Sequence, residues 1–198
     1  MKKSPRQGQL FPNDIYSVDK EDSSQRVKLS NDFLMDWQNK IHGFQSKLFN
    51  KQELFSKQNC LFQDDLIEEI NQLDIISLSP LALNFWRWPN SPHKGPAIYF
   101  VTDKPENLNS PLLLYIGETI AAERRWKGEH DCKEYLASYS EALSKANIRY
   151  QLTIRFWNDA PFKTKDRQAI EQLLIQKWQP PFNKETRNRW KTPFTSTI

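Results

Sequence analysis

Ala97-Ile98-Tyr99-Phe100-Val101 and Leu112-Leu113-Leu114-Tyr115-Ile116 decide the fold. Both are short apolar runs of β-favouring residues, and the loop between them holds Pro105 and Pro111, which cannot continue a ladder. They predict two antiparallel neighbours. Downstream, Tyr150, Leu152, Ile154 and Phe156 alternate with Arg149, Gln151, Thr153 and Arg155, a strand over 149–157 with one wet face. Short and longer helices are predicted over 119–127 and 131–146. Thr164 is placed to cap a helix ending near Trp178, where Pro180-Pro181 stops it. The order strand, strand, helix, helix, strand, helix, tail predicts an α+β layer fold with a small three-stranded, mainly antiparallel sheet flanked by helices.

Upstream, residues 30–94 read as a mostly helical extension. Ser30 or Asn31 can cap a helix over 31–50, in which Phe33, Trp37, Ile41, Phe44 and Leu48 recur at helical spacing. Leu66, Ile67, Ile70 and Leu73 mark a second short helix over 64–73. The aromatic stretch 83–89 favours a strand, and Asn90-Ser91-Pro92 breaks the chain, predicting a boundary near 89–95. Residues 1–29 are polar and aperiodic and predict a flexible arm, and 186–198 form a basic tail.

The net charge of +4 comes entirely from the second half: residues 1–94 carry 12 basic and 12 acidic side chains, residues 95–198 carry 16 and 12. Between Lys163 and Lys191 eight basic residues face three acids, interleaved with Trp178, Phe182 and Trp190. Such a stretch suits a phosphate backbone. Cys60 and Cys132 stand far apart with only His42, His93 and His130 to join them, which argues against a structural zinc site. No apolar run approaches the ~20 residues that span a bilayer. The segment Met1-Lys2-Lys3-Ser4-Pro5 has no apolar stretch behind it, so the expectation is a cytoplasmic protein away from membranes.

Pro96-Ala97-Ile98-Tyr99, Tyr115-Ile116-Gly117, Arg124-Arg125-Trp126, Glu171 and Pro181-Phe182-Asn183, in this order, resemble the GIY-YIG nuclease family over about residues 95–185. The resemblance implies an endonuclease using Mg²⁺ (or Mn²⁺) that hydrolyses phosphodiester bonds in nucleic acid, with DNA favoured, in repair, recombination, restriction or mobile-element biology. It assigns catalytic positions to Tyr99, Tyr115, Arg125, Glu171 and Asn183, with Glu171 as the metal ligand. It departs from the family pattern in places. Ala97 replaces a glycine, the two tyrosines stand 16 apart so that loop 102–111 is enlarged, and Glu118 stands where some members have lysine. The resemblance also makes His130 a catalytic candidate, acting on the nucleophile or phosphate, although it lies five residues beyond Arg125, where the family's spacing of four falls on Glu129.

These residue types suit the chemistry in their own right. A magnesium ion takes oxygen ligands in octahedral array, so one carboxylate with waters and phosphate oxygens suffices. The fork of Arg125 can grip the scissile phosphate, and Arg124, about 100° away on a helix, would then point elsewhere. Tyr99 and Tyr115 can orient the nucleophilic water or act as base, the latter needing a nearby cation because a phenol titrates near ~10. Asn183 would fix the tail across the site by hydrogen bonds. Gly117 allows close backbone approach and, with Lys177, Lys184, Arg187 and Arg189, completes the expected substrate contacts.

A second pattern, Q-x-x-L-F, occurs at Gln7-Gly8-Gln9-Leu10-Phe11, Gln45-Ser46-Lys47-Leu48-Phe49 and Gln58-Asn59-Cys60-Leu61-Phe62. It resembles the peptide with which bacterial repair proteins dock on the replication sliding clamp. Gln7, Leu10 and Phe11, in the arm, are the expected docking residues. A catalytically silent nucleic-acid-binding module and a clamp-binding adaptor are the competing functions, and the oligomeric state is open.

Overall fold

The computed structural model describes residues 29–50, 68, 70–87, 93–127 and 131–194. The expected polar arm with its Gln7, Leu10 and Phe11, most of the 64–73 helix, and His130 lie outside these residues. The architecture is α+β around an open, fully antiparallel sheet. Helix α1 (Asn31–Phe49) begins at Ser30, whose hydroxyl accepts the amide of Phe33 at 3.2 Å. Then come β1 (Leu81–Ala82), a 3₁₀ turn (Phe85–Arg87), β2 (Ala97–Asp103), β3 (Leu112–Thr119), α2 (Ala122–Lys127), α3 (Asp131–Lys145), β4 (Leu152–Trp157) and α4 (Thr164–Trp178).

The sheet has four strands where the sequence predicts three, in the order β1-β4-β2-β3. The extra strand is two residues pairing Leu81 with Ile154 and Ala82 with Thr153. The aromatics that follow it turn into the 3₁₀ segment and do not extend the strand; Phe85 is wholly buried against Phe156. β4 starts at Leu152 rather than Arg149, because its partner β2 ends at Asp103, opposite Leu152. The Gln151 amide instead donates to Oδ1 of Asp103 at 2.7 Å. Thr164 does not cap α4: the cap position falls to Lys163, whose side chain makes no capping bond.

Every residue of β2 is buried, because helices cover both faces of the sheet. On one face Tyr99, Val101, Leu114 and Phe156 pack with α1, α2, α3 and the C-terminal Phe182 and Phe194. On the other, Ile98, Phe100, Leu113 and Ile116 pack with Ile170, Leu173 and Leu174 of α4. Burial of this kind contributes about 1.5–3 kcal/mol per large apolar side chain. No helix among the described residues is long and apolar enough to cross a membrane.

Candidate active site on the edge strand

β3 is an outer strand, so its outward-facing amides and carbonyls need partners from elsewhere. Side chains supply them. Gln45, fully buried on α1, accepts the Leu113 amide and donates to the Leu113 carbonyl, both at 2.9 Å. Asn183 does the same at Ile116, accepting at 3.0 Å and donating at 2.8 Å. The Phe182 amide takes the Leu114 carbonyl at 3.0 Å. Finally, Oε1 of Glu171, from α4, accepts the Glu118 amide at 3.0 Å.

The site assembles around this edge. Tyr99 and Gly117 are opposed across the β2–β3 ladder, as are Val101 and Tyr115, which sets both tyrosines on one face. Their rings stack with centroids 6.0 Å apart, and Trp126 of α2 packs edge-on against Tyr99 at 5.7 Å. Gly117 makes this possible: a Cβ there would lie 2.4 Å from Cζ and the hydroxyl of Tyr99 and 2.9 Å from Tyr115. Arg125, exposed on α2, is the arginine whose guanidinium approaches the tyrosine hydroxyls. It does not close a bond of good geometry with the buried Tyr99 hydroxyl, which lacks a hydrogen-bond partner among the described residues.

Burial sets the electrostatics. It pushes the Tyr99 phenol up to about 12 despite the opposing pull of Arg125. Tyr115 is raised further, again by burial first and then by Tyr99, Cys132 and Glu171 beside it. The Glu171 carboxyl rises to about 7, chiefly through burial; the Glu118 amide and Arg125 oppose the rise, and the neighbouring Glu118 and Glu185 charges add to it. No ion pair among the described residues reaches Glu171. Glu171 is thus a half-buried carboxylate short of positive charge with one oxygen on an amide, and no group of three or more His, Cys, Asp or Glu side chains placed to hold a metal ion occurs among the described residues.

The Glu118 carboxylate is held by Arg167, one turn before Glu171 on α4, with Nε donating at 2.6 Å. Arg167 is 1% exposed and also donates to the carbonyls of Pro161 and Phe162 at 3.0 and 3.1 Å. Sequence reading placed Arg167 in a phosphate-binding stretch; its burial removes it, and it holds Glu118 instead. Lys177 is corrected likewise: it is buried, and Nζ donates to the Ile70 carbonyl at 2.9 Å and to Asn71 at 3.2 Å.

Other expected contacts remain at the surface. Lys184 and Arg189 are exposed, the latter lying 4.6 Å over the Phe44 ring and 5.1 Å over Trp190. Arg187 is half-buried and donates to the Tyr135 hydroxyl at 2.8 Å. Asn183, bonded at both ends to Ile116 and only 4% exposed, positions β3 rather than facing a substrate. The α1 copy of Q-x-x-L-F is built into the fold, with Gln45 on Leu113 and the Phe49 ring 4.5 Å from Trp178.

No protein-family model, curated protein or solved structure matches this chain.

Proposed function

We propose that the chain is a metal-dependent endonuclease of the GIY-YIG type, acting on DNA. The observation that supports this best is the convergence of Tyr99, Tyr115, Arg125 and Glu171, from two strands and two helices, on one edge of the sheet. Glu171 would hold Mg²⁺ (or Mn²⁺), which when bound supplies Lewis-acid stabilisation of charge on phosphate oxygens. Arg125, exposed and forked, binds the scissile phosphate and offsets charge that builds in the transition state. Ionising Tyr99 at neutral pH would cost about 7 kcal/mol, given its value of about 12. Both phenols therefore act best as hydrogen-bond donors and orienting groups. Tyr115, the less buried of the two, is the one placed to touch a substrate.

One observation favours a silent binding module instead: Glu171 and Asn183 both have a structural task on β3. The test is cleavage of labelled linear, nicked, flapped and four-way DNA with Mg²⁺, comparing wild type with Glu171→Gln. Glutamine keeps the acceptor for the Glu118 amide, so the fold is preserved. Loss of cutting by roughly 10²-fold or more with binding retained supports the nuclease. Binding without cleavage by either protein supports the module.

A further inference from the structure

The loop from β4 to α4, residues 158–163, carries Phe162, whose ring is 78% exposed, more than any other large apolar side chain among the described residues. Its backbone is nevertheless anchored. Arg167, itself 1% exposed, donates through Nη1 to the carbonyls of Pro161 and Phe162 at 3.0 and 3.1 Å and through Nη2 to the Thr164 hydroxyl at 3.4 Å. The same guanidinium holds the Glu118 carboxylate through Nε, and the Glu118 amide donates to Glu171. One buried side chain therefore fixes both the Phe162 loop and the residue that Glu171 clasps.

From this we infer that Phe162 positions the substrate: an unpaired base of the strand held at the β3 edge stacks on its ring, so that DNA with an unpaired base at the site is bound in preference to continuous duplex. The inference rests on the nuclease reading and names the substrate feature that the site selects. A phenyl ring stabilises a fold through burial, and this one is left in water. Its sequence neighbours Asn158, Asp159, Lys163, Lys165 and Asp166 are all exposed and polar, so the ring stands alone. A protein partner or a second copy needs about 800 Å² a side, and a membrane surface needs a whole apolar helix face. One isolated ring fits one flat ligand, and every base has a π-face to offer it. A backbone fixed in advance also lowers the ordering cost when the base arrives.

Hydrogen bonds tie the loop to the candidate site. Glu171 lies within electrostatic reach of Tyr99, Tyr115 and Arg125 on one side of the edge and is bonded to Glu118 on the other, where Arg167 and the Phe162 loop attach. A strand crossing the edge at Glu171 meets the phenols and Arg125 on one flank and the Phe162 loop on the other.

The test reads binding in EDTA, without cleavage. A duplex with a short single-stranded flap, carrying 2-aminopurine as the unpaired base next to the junction, is titrated with the full chain beside a continuous duplex of the same sequence. Phe162→Ala should bind the flap roughly 5- to 150-fold more weakly, the range for removing a stacking ring. It should bind the continuous duplex as wild type does, lose the quenching of 2-aminopurine and keep its urea midpoint. Phe162→Trp should restore flap affinity and quenching, and Phe162→Leu neither. Equal affinity of wild type and Phe162→Ala for the flap, an equal loss on both DNAs, full rescue by leucine, or a lowered urea midpoint that marks the ring as structural each overturn the inference and leave the nuclease reading standing. Absence of binding to either DNA overturns both, and the cleavage panel tests that reading independently.

Discussion

Glu171→Gln is the perturbation with the most to tell, because the structure gives its effect a sign and a size without reference to cleavage. A carboxyl whose folded pKa exceeds its unfolded value binds its proton more tightly when folded. Its contribution to stability is therefore complete below 4.5, the unperturbed value, and is lost as pH climbs through about 7. That interval corresponds to about 3 kcal/mol. Glutamine resembles the protonated acid and still accepts the Glu118 amide, so the variant should match wild type near pH 4.5. Near pH 8, in EDTA, it should be the more stable protein by about 3 kcal/mol. The assay is urea unfolding across that pH range, read as the difference between the two proteins so that Asp103, itself raised by burial, cancels. The midpoint gap should open to roughly 1 M urea or more at alkaline pH. Saturating Mg²⁺ should then close it by stabilising wild type alone, about 2.7 kcal/mol at a hundredfold excess over Kd. Parallel pH curves for the two proteins would refute the reasoning, since Glu171 would then lack neither solvation nor positive charge.

Gly117→Ala should destabilise the protein by about 1–3 kcal/mol, measured by chemical unfolding, and by less in a Tyr99→Leu background, which removes the ring atoms the new methyl would meet at 2.4 Å. Asn183→Leu strands both the amide and the carbonyl of Ile116; at about 1–3 kcal/mol per orphaned group, the loss should be visible as a lower unfolding midpoint and faster exchange of the Ile116 amide. Arg167→Met leaves the Glu118 carboxylate unpaired in a largely buried place and should cost about 3–5 kcal/mol, whereas Glu118→Gln with Arg167→Met together should recover much of that in a double-mutant cycle. For nucleic-acid binding, Arg189→Ala should lower the slope of log affinity against log salt by about 1, while Lys177→Ala, a change to a buried lysine, should leave the slope unmoved.

The parts of the fold legible in sequence were those whose cause is local. The runs around Tyr99 and Tyr115 read as strands because a sheet covered on both faces needs unbroken apolar residues, and Ser30 read as a cap because capping involves residues three apart. β1 escaped notice because two residues cannot display a period; only the pairing with Ile154 and Thr153 defines it. The start of β4 was misjudged for a related reason: 149–151 keep the alternation, but no partner strand extends beside them. Arg167 and Lys177 looked like surface cations since nothing in their neighbourhood announces Glu118, 49 residues away, or the Ile70 carbonyl, 107 away. Of the candidate site, sequence order supplied the tyrosines, Arg125 and Glu171. It was silent on how β3 is held, as an amide that clasps a backbone looks like any other glutamine or asparagine.

That clasping bears on what Glu171 is for. β3 meets the same need at three outward positions: Gln45 serves Leu113, Asn183 serves Ile116, and Glu171 serves Glu118. At the first two the chain uses neutral amides, which donate to the carbonyl as well as accept from the amide, and both are almost fully buried without carrying charge. At the third it uses a carboxylate, beside Glu118 and Glu185, where burial resists ionisation. For holding an edge strand this is the poorer choice, and a glutamine would fit the same bond. A purely structural role accounts for the bond at Glu171 but not for the charge. The proposed nuclease reading would account for both, since the charge that weakens the metal-free fold would be the charge that binds the ion.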